Sequence, residues 1–312
     1  MVARLEMVSV EEGLATVQSY IPEIVRVEPK NLTFEGTNRT AIRLGVGSDK
    51  VVDLPWLAGH AFKTRTGLDA TMLDKLSSEL KLSSFRYLVG RTDDPFVFKV
   101  RDGKVVGVPK KEEEIKDPRP LLDAVSNLTP IGIANIIRAA DRIGFGVILD
   151  RVFKVQERPD EVIRSGIYVS LNGKLEAGTY NYRQVCSNGM MAYKPGMMIP
   201  VEADNVHGVL ASLQDQAATF TENFTKLAAV KVENSGGLVG RLQHERILNS
   251  VQVNQVIARI AELGTEATEF DLVNLITSFQ HTQPNRLDWL YSGGRAVGHF
   301  HSAHCERCGS HT

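Results

Sequence analysis

Apolar and polar residues alternate in short runs along the first two-thirds of the chain, a pattern typical of half-buried strands. The runs that predict strands are Leu32–Gly36, Thr40–Val46, Phe85–Gly90, Phe96–Arg101, Lys104–Val108 and Gly146–Val155. Asp102-Gly103 separates two of these runs, and this dipeptide is typical of two-residue hairpin turns. The pattern therefore predicts an antiparallel sheet built from hairpins.

Helical spacing interrupts these strands at three places. Ser9-Val-Glu-Glu12 is a capping box, and the apolar residues that follow it predict a helix ending near Tyr20. A second helix is predicted at Asp69–Leu80, with aspartate as its cap and leucines on one stripe. A third is predicted at Thr129–Ala140, because proline is favoured in a first turn and isoleucines follow at three- and four-residue spacing.

After Pro200 the spacing of apolar residues becomes helical. The longest amphipathic stretch is Val206–Val232, and Ser235-Gly236-Gly237 breaks it. Further helical segments are predicted at Leu242–Leu248, Val251–Leu263, Phe270–Phe279 and Leu287–Tyr291. The last third of the chain is therefore expected to be helical.

These elements predict an α+β fold, in which an antiparallel sheet built from hairpins packs with helices. A helical C-terminal third and a short tail rich in histidine and cysteine follow it. We expect a mixed domain over residues 1–203, a helical region over 204–292 that packs on it, and the tail over 293–312. Residues 109–120 are charged, rich in proline and poor in apolar residues, which predicts a solvated connector.

The strongest hairpin signal of the chain is Asn172-Gly173, which lies between two strand-like runs. A two-residue turn at this position would pair Leu171 with Lys174. Further from the turn, the same register would pair Ile167 with Gly178. This pairing predicts which side chains of the hairpin share a face.

The predicted register decides which tyrosines are candidates for binding. It places Tyr180 and Tyr182 on the core face, where packing is the simpler interpretation of both rings, and it leaves Tyr168 with Arg183 on the open face. Aromatic faces stack on bases and cations contact phosphates, so an open face of this kind indicates binding of single-stranded nucleic acid. The candidate residues are Arg164, Tyr168, Lys174, Arg183 and Lys194.

Composition limits the partners and the location of the protein. The formal net charge is −1, so no global field favours nucleic acid or a membrane, and an anion site must be local. No apolar run approaches the roughly 18–20 residues that cross a bilayer, and the first residues lack a signal-peptide pattern. With only three cysteines a disulfide framework is excluded, and we expect a cytoplasmic protein without a membrane partner.

The C-terminal sequence GHFHSAHCERCGSHT indicates a metal site. Cys305 and Cys308 have the spacing that places two thiolates on one ion, and His301 and His304 would complete the tetrahedron that zinc prefers. This predicts a zinc site with a structural role. The alternative is a tail whose histidines face the solvent, because the spacing is not that of a named zinc finger.

Sequence signatures of catalysis are absent: the chain contains no HExxH, GxSxG, P-loop or kinase motif. Cys186 is a possible nucleophile, but no histidine lies nearer than His207, and Arg183 would alternate to the opposite face of the strand. A buried structural thiol is the simpler interpretation. We therefore expect no catalytic residue and favour a protein that is not an enzyme.

Two segments resemble those of a known family. The segment Arg183–Gly189 reads RQVCSNG, and the segment Asp271–Phe279 reads DLVNLITSF. On these segments the chain resembles a phage- and plasmid-borne domain family of unknown function, whose members carry a strand ending in R-x-V-C-x-N-G/T and a late helix with an Asn-x-x-Thr core. The resemblance covers roughly Gly144 to Gln283. It implies a mobile-element origin and a cytoplasmic location, and it implies no activity.

Three functions are compatible with these observations. The first is non-enzymatic binding of single-stranded nucleic acid in replication or recombination, which agrees with the basic and aromatic hairpin. The second is an interaction module whose helical third binds itself or a phage or host protein. The third is a metal-dependent enzyme that uses the histidines and cysteines of the tail.

Overall fold

The computed structural model describes residues 2–282, apart from 5, 38–40, 48, 56–74, 110–116, 139–142, 172–173, 186–187, 194–197, 203, 233–238, 241–242 and 245–247. Within these residues the chain forms two sheets and six α-helices, which confirms the α+β prediction.

The helices are α1 Val10–Tyr20, α2 Ser78–Val89, α3 Arg119–Ser126, α4 Val206–Thr225, α5 Ser250–Leu263 and α6 Glu269–Thr282. The strands of the first sheet are β2 Glu23–Val27, β3 Leu32–Thr37, β4 Ala41–Val46, β5 Val51–Pro55, β6 Phe96–Arg101 and β7 Lys104–Gly107. Those of the second are β1 Val2–Arg4, β8 Gly132–Arg138, β9 Ile143–Val155, β10 Arg158–Leu171, β11 Leu175–Val185, β12 Asn188–Tyr193 and β13 Ile199–Pro200.

The chain divides into two compact units. The small unit is Gln18–Lys116, and the large unit combines Met1–Val17 with Asp117–Thr312. One limit of the small unit falls inside the segment 109–120 that was predicted as a connector. The division has no boundary at residue 203, because the helices after this point pack on the sheet that precedes them.

The small unit is a six-stranded sheet with α2 on its inner face. Its strands lie in the order β2-β6-β7-β5-β4-β3, and every neighbouring pair is antiparallel except β5 with β7. Alternate residues of each strand, such as Phe96 and Phe98, point into one apolar core. Helix α2 closes this core, where the Phe85 ring stacks on the Phe34 ring with centroids 5.8 Å apart.

The Asp102-Gly103 hairpin is confirmed. Arg101 pairs with Lys104, and the two turn residues have φ angles of 51° and 70°. Left-handed backbone at both central positions is the geometry that favours an Asp-Gly pair. The dipeptide in the sequence was therefore sufficient to predict this turn.

The strand predicted at Phe85–Gly90 is wrong, because the segment forms the end of α2. Phe85 and Val89 are both buried and stand four residues apart, which is the spacing of one helical face. A short apolar run fits either structure, and only the packing of α2 on the sheet decides between them. Half of the helix predicted at Asp69–Leu80, residues 69–74, lies outside the described residues, and its last three residues form the start of α2.

The large unit contains a sheet that is covered on both faces. Its strand order is β1-β8-β9-β10-β11-β12, and β13 lies beside β11. One face packs on helices: α4 contacts β9, β10 and β11, and Gly13 of α1 lies against Ile133 of β8. The opposite face carries the buried rings of Tyr168, Tyr180 and Tyr182. Most side chains of these strands are therefore buried whichever way they point.

The helix predicted at Thr129–Ala140 is wrong, because residues Gly132–Arg138 form strand β8. A bulge explains the misleading pattern. The register with β9 shifts between Ala134 and Ile137, and Asn135 has a φ angle of 51°. As a result Ala134 and Ile137 reach the same buried cluster although they are three residues apart. A bulged strand thereby imitates helical spacing.

Strands β10 and β11 form the hairpin predicted around Asn172-Gly173, but its predicted register is wrong by one residue. Leu171 pairs with Leu175 and not with Lys174. Because side chains alternate between the two faces of a strand, this shift exchanges the faces of β11 relative to β10. Side chains of β10 and β11 that the predicted register placed on one face therefore lie on opposite faces.

The C-terminal helices pack on the part of the β9–β10 hairpin that is nearest to its turn. Val155 and Ile163, one from each strand, are buried among apolar side chains of α5 and α6. Phe224 of α4 meets Phe270 of α6 edge to face, with ring centroids 5.8 Å apart. These helices confirm the predictions at Val206–Val232, Val251–Leu263 and Phe270–Phe279, whereas Leu287–Tyr291 and most of Leu242–Leu248 lie outside the described residues.

Candidate functional site

The corrected register separates the two residues that the sequence had placed on an open face. Tyr168 now shares a face with Tyr180 and Tyr182, and Arg183 shares the other face with Ile167. Tyr168 is completely buried, so its prediction as an exposed stacking residue is wrong. The prediction that Tyr180 and Tyr182 pack in the core is confirmed.

The three tyrosines belong to a buried cluster on one face of the sheet. The rings of Tyr168 and Tyr180 lie with centroids 6.1 Å apart, and Asn135 Nδ2 donates a hydrogen bond of 2.5 Å to the Tyr180 hydroxyl. Burial raises the pKa of Tyr180 well above its ordinary value, and it also raises the pKa of Tyr182. Both phenols are therefore protonated near neutral pH, and neither is a general base there.

The remaining candidates on the hairpin do not come together. Lys174 is exposed at the β10–β11 turn, whereas Arg164 is half-buried, 3.6 Å from Asp150 Oδ1. From Arg164 to Leu171 the strand advances about 3.3 Å per residue, so roughly 20 Å separates Arg164 from the turn that carries Lys174. Lys194 lies outside the described residues.

Arg183 contacts the late helix α6. Its Nη1 donates a hydrogen bond of 2.8 Å to Asn274 Oδ1, and its Nη2 lies 2.5 Å from Glu161 Oε2. The guanidinium carbon also lies 5.3 Å from the centroid of the Phe270 ring. Arg183 and Asn274 belong to the two segments on which the family resemblance rests, and the fold brings these segments into contact.

A second arginine completes this cluster. Arg158 Nη2 lies 2.7 Å from Asp271 Oδ1, and the Arg158 guanidinium carbon is 5.3 Å from the centroid of the same Phe270 ring. Arg158 also lies 3.9 Å from Glu161. We call the set Arg158, Glu161, Arg183, Phe270, Asp271 and Asn274 the arginine clasp, because it fastens β10 and β11 to α6.

The charges of the arginine clasp balance within the protein. Its two guanidiniums face two carboxylates, and only 17% of the Arg183 side chain is exposed. Burial lowers the pKa of Arg183, while Glu161 opposes this effect, so the arginine remains charged at neutral pH. An anionic ligand would have to displace Glu161 or Asp271. The arrangement therefore indicates that Arg183 has a structural role in joining the strands to α6, and it does not place Arg183 on an open binding face.

Asp271 has a second task at the start of α6. Its Oδ2 accepts hydrogen bonds from Thr268 N at 3.0 Å and from Thr268 Oγ1 at 2.8 Å. Burial acts to raise the pKa of Asp271, but the hydrogen bonds from Thr268 and Arg158 outweigh it, and the pKa is lowered. The carboxylate thus forms a capping box with Thr268, whose Oγ1 accepts a hydrogen bond from Asp271 N, and it pairs with Arg158 at the same time.

A basic surface on the small unit was not among the sequence predictions. A row of charged residues crosses the outer face of its sheet: Arg101 pairs with Lys104, Lys104 with Asp53, and Asp53 with Arg43. Neighbouring strands are about 4.8 Å apart, so the row spans roughly 14 Å across four strands. Three of its four members are cations, which makes it a local positive strip.

Two further cations extend this surface toward the β2 edge. Arg26 pairs with Val97, and Lys99 pairs with Ile24, all on the outer face. We call the set Arg26, Arg43, Lys99, Arg101 and Lys104 the cationic face. Its five members stand against two acidic residues on the same face, Glu35 and Asp53.

All members of the cationic face are exposed or half-exposed. Arg26, Arg43 and Lys104 are exposed, while Lys99 and Arg101 are half-buried. Two aliphatic side chains lie among them, since Ile24 and Val51 are each 43% exposed. Alternation of cations with core residues, as in Lys99-Val-Arg101, was the sequence signal that would have revealed this face.

Two other sequence predictions concern metal and membranes. Among the residues that the structure describes, no group of three or more histidine, cysteine, aspartate or glutamate side chains is placed to hold a metal ion. His301, His304, Cys305 and Cys308 lie outside that part of the chain, and their zinc site stays a prediction. In the described part, none of the helices has the length and apolar character needed to cross a bilayer.

Comparisons with protein-family models, with curated proteins and with solved structures found no match to this chain. The resemblance to the phage- and plasmid-borne family therefore stays a prediction that rests on the two sequence segments.

Proposed function

We propose that this protein binds single-stranded nucleic acid through the cationic face, without catalysing a reaction on it. The observation that carries the proposal is the excess of positive charge on one sheet face in a chain whose net charge is −1. Phosphates are attracted to such a local excess, because each contact releases condensed counterions. The residues proposed for this task differ from those that the hairpin pattern had suggested.

The shape of the face supports a single strand as the ligand. An extended strand can lie across an open sheet, and several single-strand-binding modules use sheet surfaces in this way. Ile24 and Val51 offer apolar contact area between the cations. The face lacks aromatic side chains among its described residues, so phosphate contacts are expected to supply most of the affinity, with little preference for sequence.

Fluorescence anisotropy with a labelled oligothymidine of about 20 nucleotides tests this proposal. The variant Arg43→Gln/Lys99→Gln/Lys104→Gln removes three cations from the face. We expect its affinity at low salt to fall at least tenfold, and the slope of log K against log salt to become shallower by about 2, since each lost phosphate contact removes about 0.7.

A matched control separates the cationic face from general electrostatics. Lys174→Gln/Lys226→Gln/Arg259→Gln removes three exposed cations from the large unit, and it should bind as the unchanged protein does. Equal losses in both triple variants would contradict the proposal, as would binding that does not weaken with salt. A competing duplex of the same length tests the strand preference, and tighter binding of the duplex would overturn that part.

A further inference from the structure

The β9–β10 hairpin extends beyond the rest of its sheet. The last β8–β9 pair joins Gly132 to Ile148, so the residues of β9 after Ile148 do not pair with β8. On the other side, the last β10–β11 pair joins Arg164 to Tyr182. We call residues 149–164 the arm. In the described part of the chain, the arm strand of β9 pairs only with β10, and no described strand pairs with its second edge.

Four side chains of this strand are open to the solvent. Asp150, Arg151 and Lys154 are exposed, and Val152 is 50% exposed. Contact between Asp150 and Arg164, at 3.6 Å, puts Asp150 on the same face as Val152, because Arg164 pairs with Val152 across the arm. An open strand edge with an exposed valine is a template for pairing with another strand.

The order of charges along this edge is complementary to itself. We propose that the β9 edge pairs antiparallel with the same edge of a second copy of this chain, about a two-fold axis at Val152. In that register Asp150 of each copy stands opposite Lys154 of the other. Arg151 of each copy stands opposite Phe153, whose ring the guanidinium can cover. Val152 meets Val152 on the axis, so that the contact is isologous.

Neighbouring registers lack this complementarity. An axis at Phe153 would set Lys154 opposite Val152 and leave Asp150 without a lysine. An axis at Arg151 would set Asp150 opposite Val152 and leave Lys154 without a carboxylate. Opposite charges therefore favour one register out of the three. A lysine on an edge ordinarily discourages strand pairing, but in this register it meets an acid.

The expected dimer is weak and reversible. Strand β9 is bulged between Ile148 and Val152 against β10, which shortens the regular edge. An interface of about five residues per copy is far smaller than that of a permanent dimer. We therefore expect monomer and dimer to exchange at micromolar concentrations, and the contact is separate from the cationic face, which lies on the other unit.

Sedimentation velocity over a range of protein concentrations tests the pairing. Lys154→Asp places two carboxylates opposite each other and should raise the dissociation constant at least about tenfold. Asp150→Lys should do the same through paired lysines. The swapped variant Asp150→Lys/Lys154→Asp restores opposite charges and should recover the dimer. Rescue by the swap excludes misfolding of the single variants as the cause of their loss.

A cross-link tests the axis directly. Residues directly opposite each other in antiparallel strands have Cα atoms about 4.5–5.5 Å apart, which is within the range of a disulfide. Val152→Cys should therefore form a covalent dimer on mild oxidation. Val162→Cys is the control, because this valine is exposed on β10, away from the axis.

Two results would overturn the inference. One is a protein that sediments as a monomer at every concentration up to about 100 times the micromolar dissociation constant that we expect for this contact. The other is a dimer that Lys154→Asp leaves unchanged, or that cross-links through Val162→Cys as efficiently as through Val152→Cys. Either result would remove the β9 edge as an interface without affecting the test of nucleic-acid binding.

Discussion

The two sheets of this protein use their second faces in different ways. The sheet of the large unit buries both faces, one under helices and one around a core of tyrosines. The sheet of the small unit buries one face against α2 and presents cations on the other. The comparison teaches that aromatic and basic composition alone does not locate a binding surface, since the tyrosine-rich strands are the buried ones.

Glycines make the doubly buried sheet possible. A Cβ atom at Gly146 would lie 2.6 Å from the ring of Tyr180, and one at Gly166 would lie 2.4 Å from the carbonyl oxygen of Val147. The tyrosine ring thus occupies space that only glycine leaves open. Gly107 in the small sheet has an ordinary neighbour, since its Cβ would lie 3.5 Å from Lys99 Cδ.

The largest expected effect follows from these glycines. Gly166→Ala should destabilise the protein by about 3 kcal/mol, because its methyl group would overlap a backbone oxygen that cannot move alone. Gly107→Ala should change stability by less than about 0.5 kcal/mol. Urea unfolding measures both, and similar costs for the two variants would mean that the two sheets do not differ in packing.

A smaller difference is expected between two arginines. Arg183→Met removes a half-buried partner of Glu161 and Asn274, and we expect a loss of about 2 kcal/mol with unchanged binding of single strands. Arg43→Met removes an exposed cation and should cost less than about 0.5 kcal/mol while weakening binding. Thermal unfolding and anisotropy together separate the two roles. If Arg183→Met lost binding at unchanged stability, the arginine clasp would be a binding site.

The smallest expected difference concerns two tyrosines. Tyr180→Phe leaves Asn135 Nδ2 without its acceptor in the core and should cost about 1 kcal/mol. Tyr87 of α2 is 62% exposed, and Tyr87→Phe should be nearly neutral. Chemical denaturation under matched conditions compares the free energies of unfolding of the two variants. A neutral Tyr180→Phe would indicate that its hydroxyl contributes nothing to the stability of the tyrosine core.

Local signals in the sequence were sufficient for elements whose geometry is local. Ser9 caps the first helix as its position predicts, since Glu12 N donates a hydrogen bond to Ser9 Oγ at 3.2 Å. The Asp102-Gly103 turn and the helices after Val206 were predictable in the same way. In each case residues within four positions of each other determine the conformation, so a pattern along the chain contains the necessary information.

Sequence patterns failed to predict features whose conformation depends on contacts between residues that are distant in sequence. The bulge at Asn135 made strand β8 resemble a helix, and that residue is held by Tyr180, 45 positions later. The arginine clasp could not be predicted, because Arg183 meets Asn274, 91 positions away, and no local rule connects them. The cationic face was missed for a related reason: its rows form only when strands β4, β5, β6 and β7 align.

The sequence by itself determined the fold class, the helices described after Val206 and the Asp102-Gly103 turn. Only the tertiary structure decided which face of the tyrosine-rich hairpin is open, and the answer is that neither is. The physical reason is the period of a strand: one residue of difference in pairing, Leu171 with Leu175 in place of Lys174, exchanges every side chain between the two faces. Because both faces of these strands are buried, the alternation of apolar and polar residues along the chain does not reveal the register.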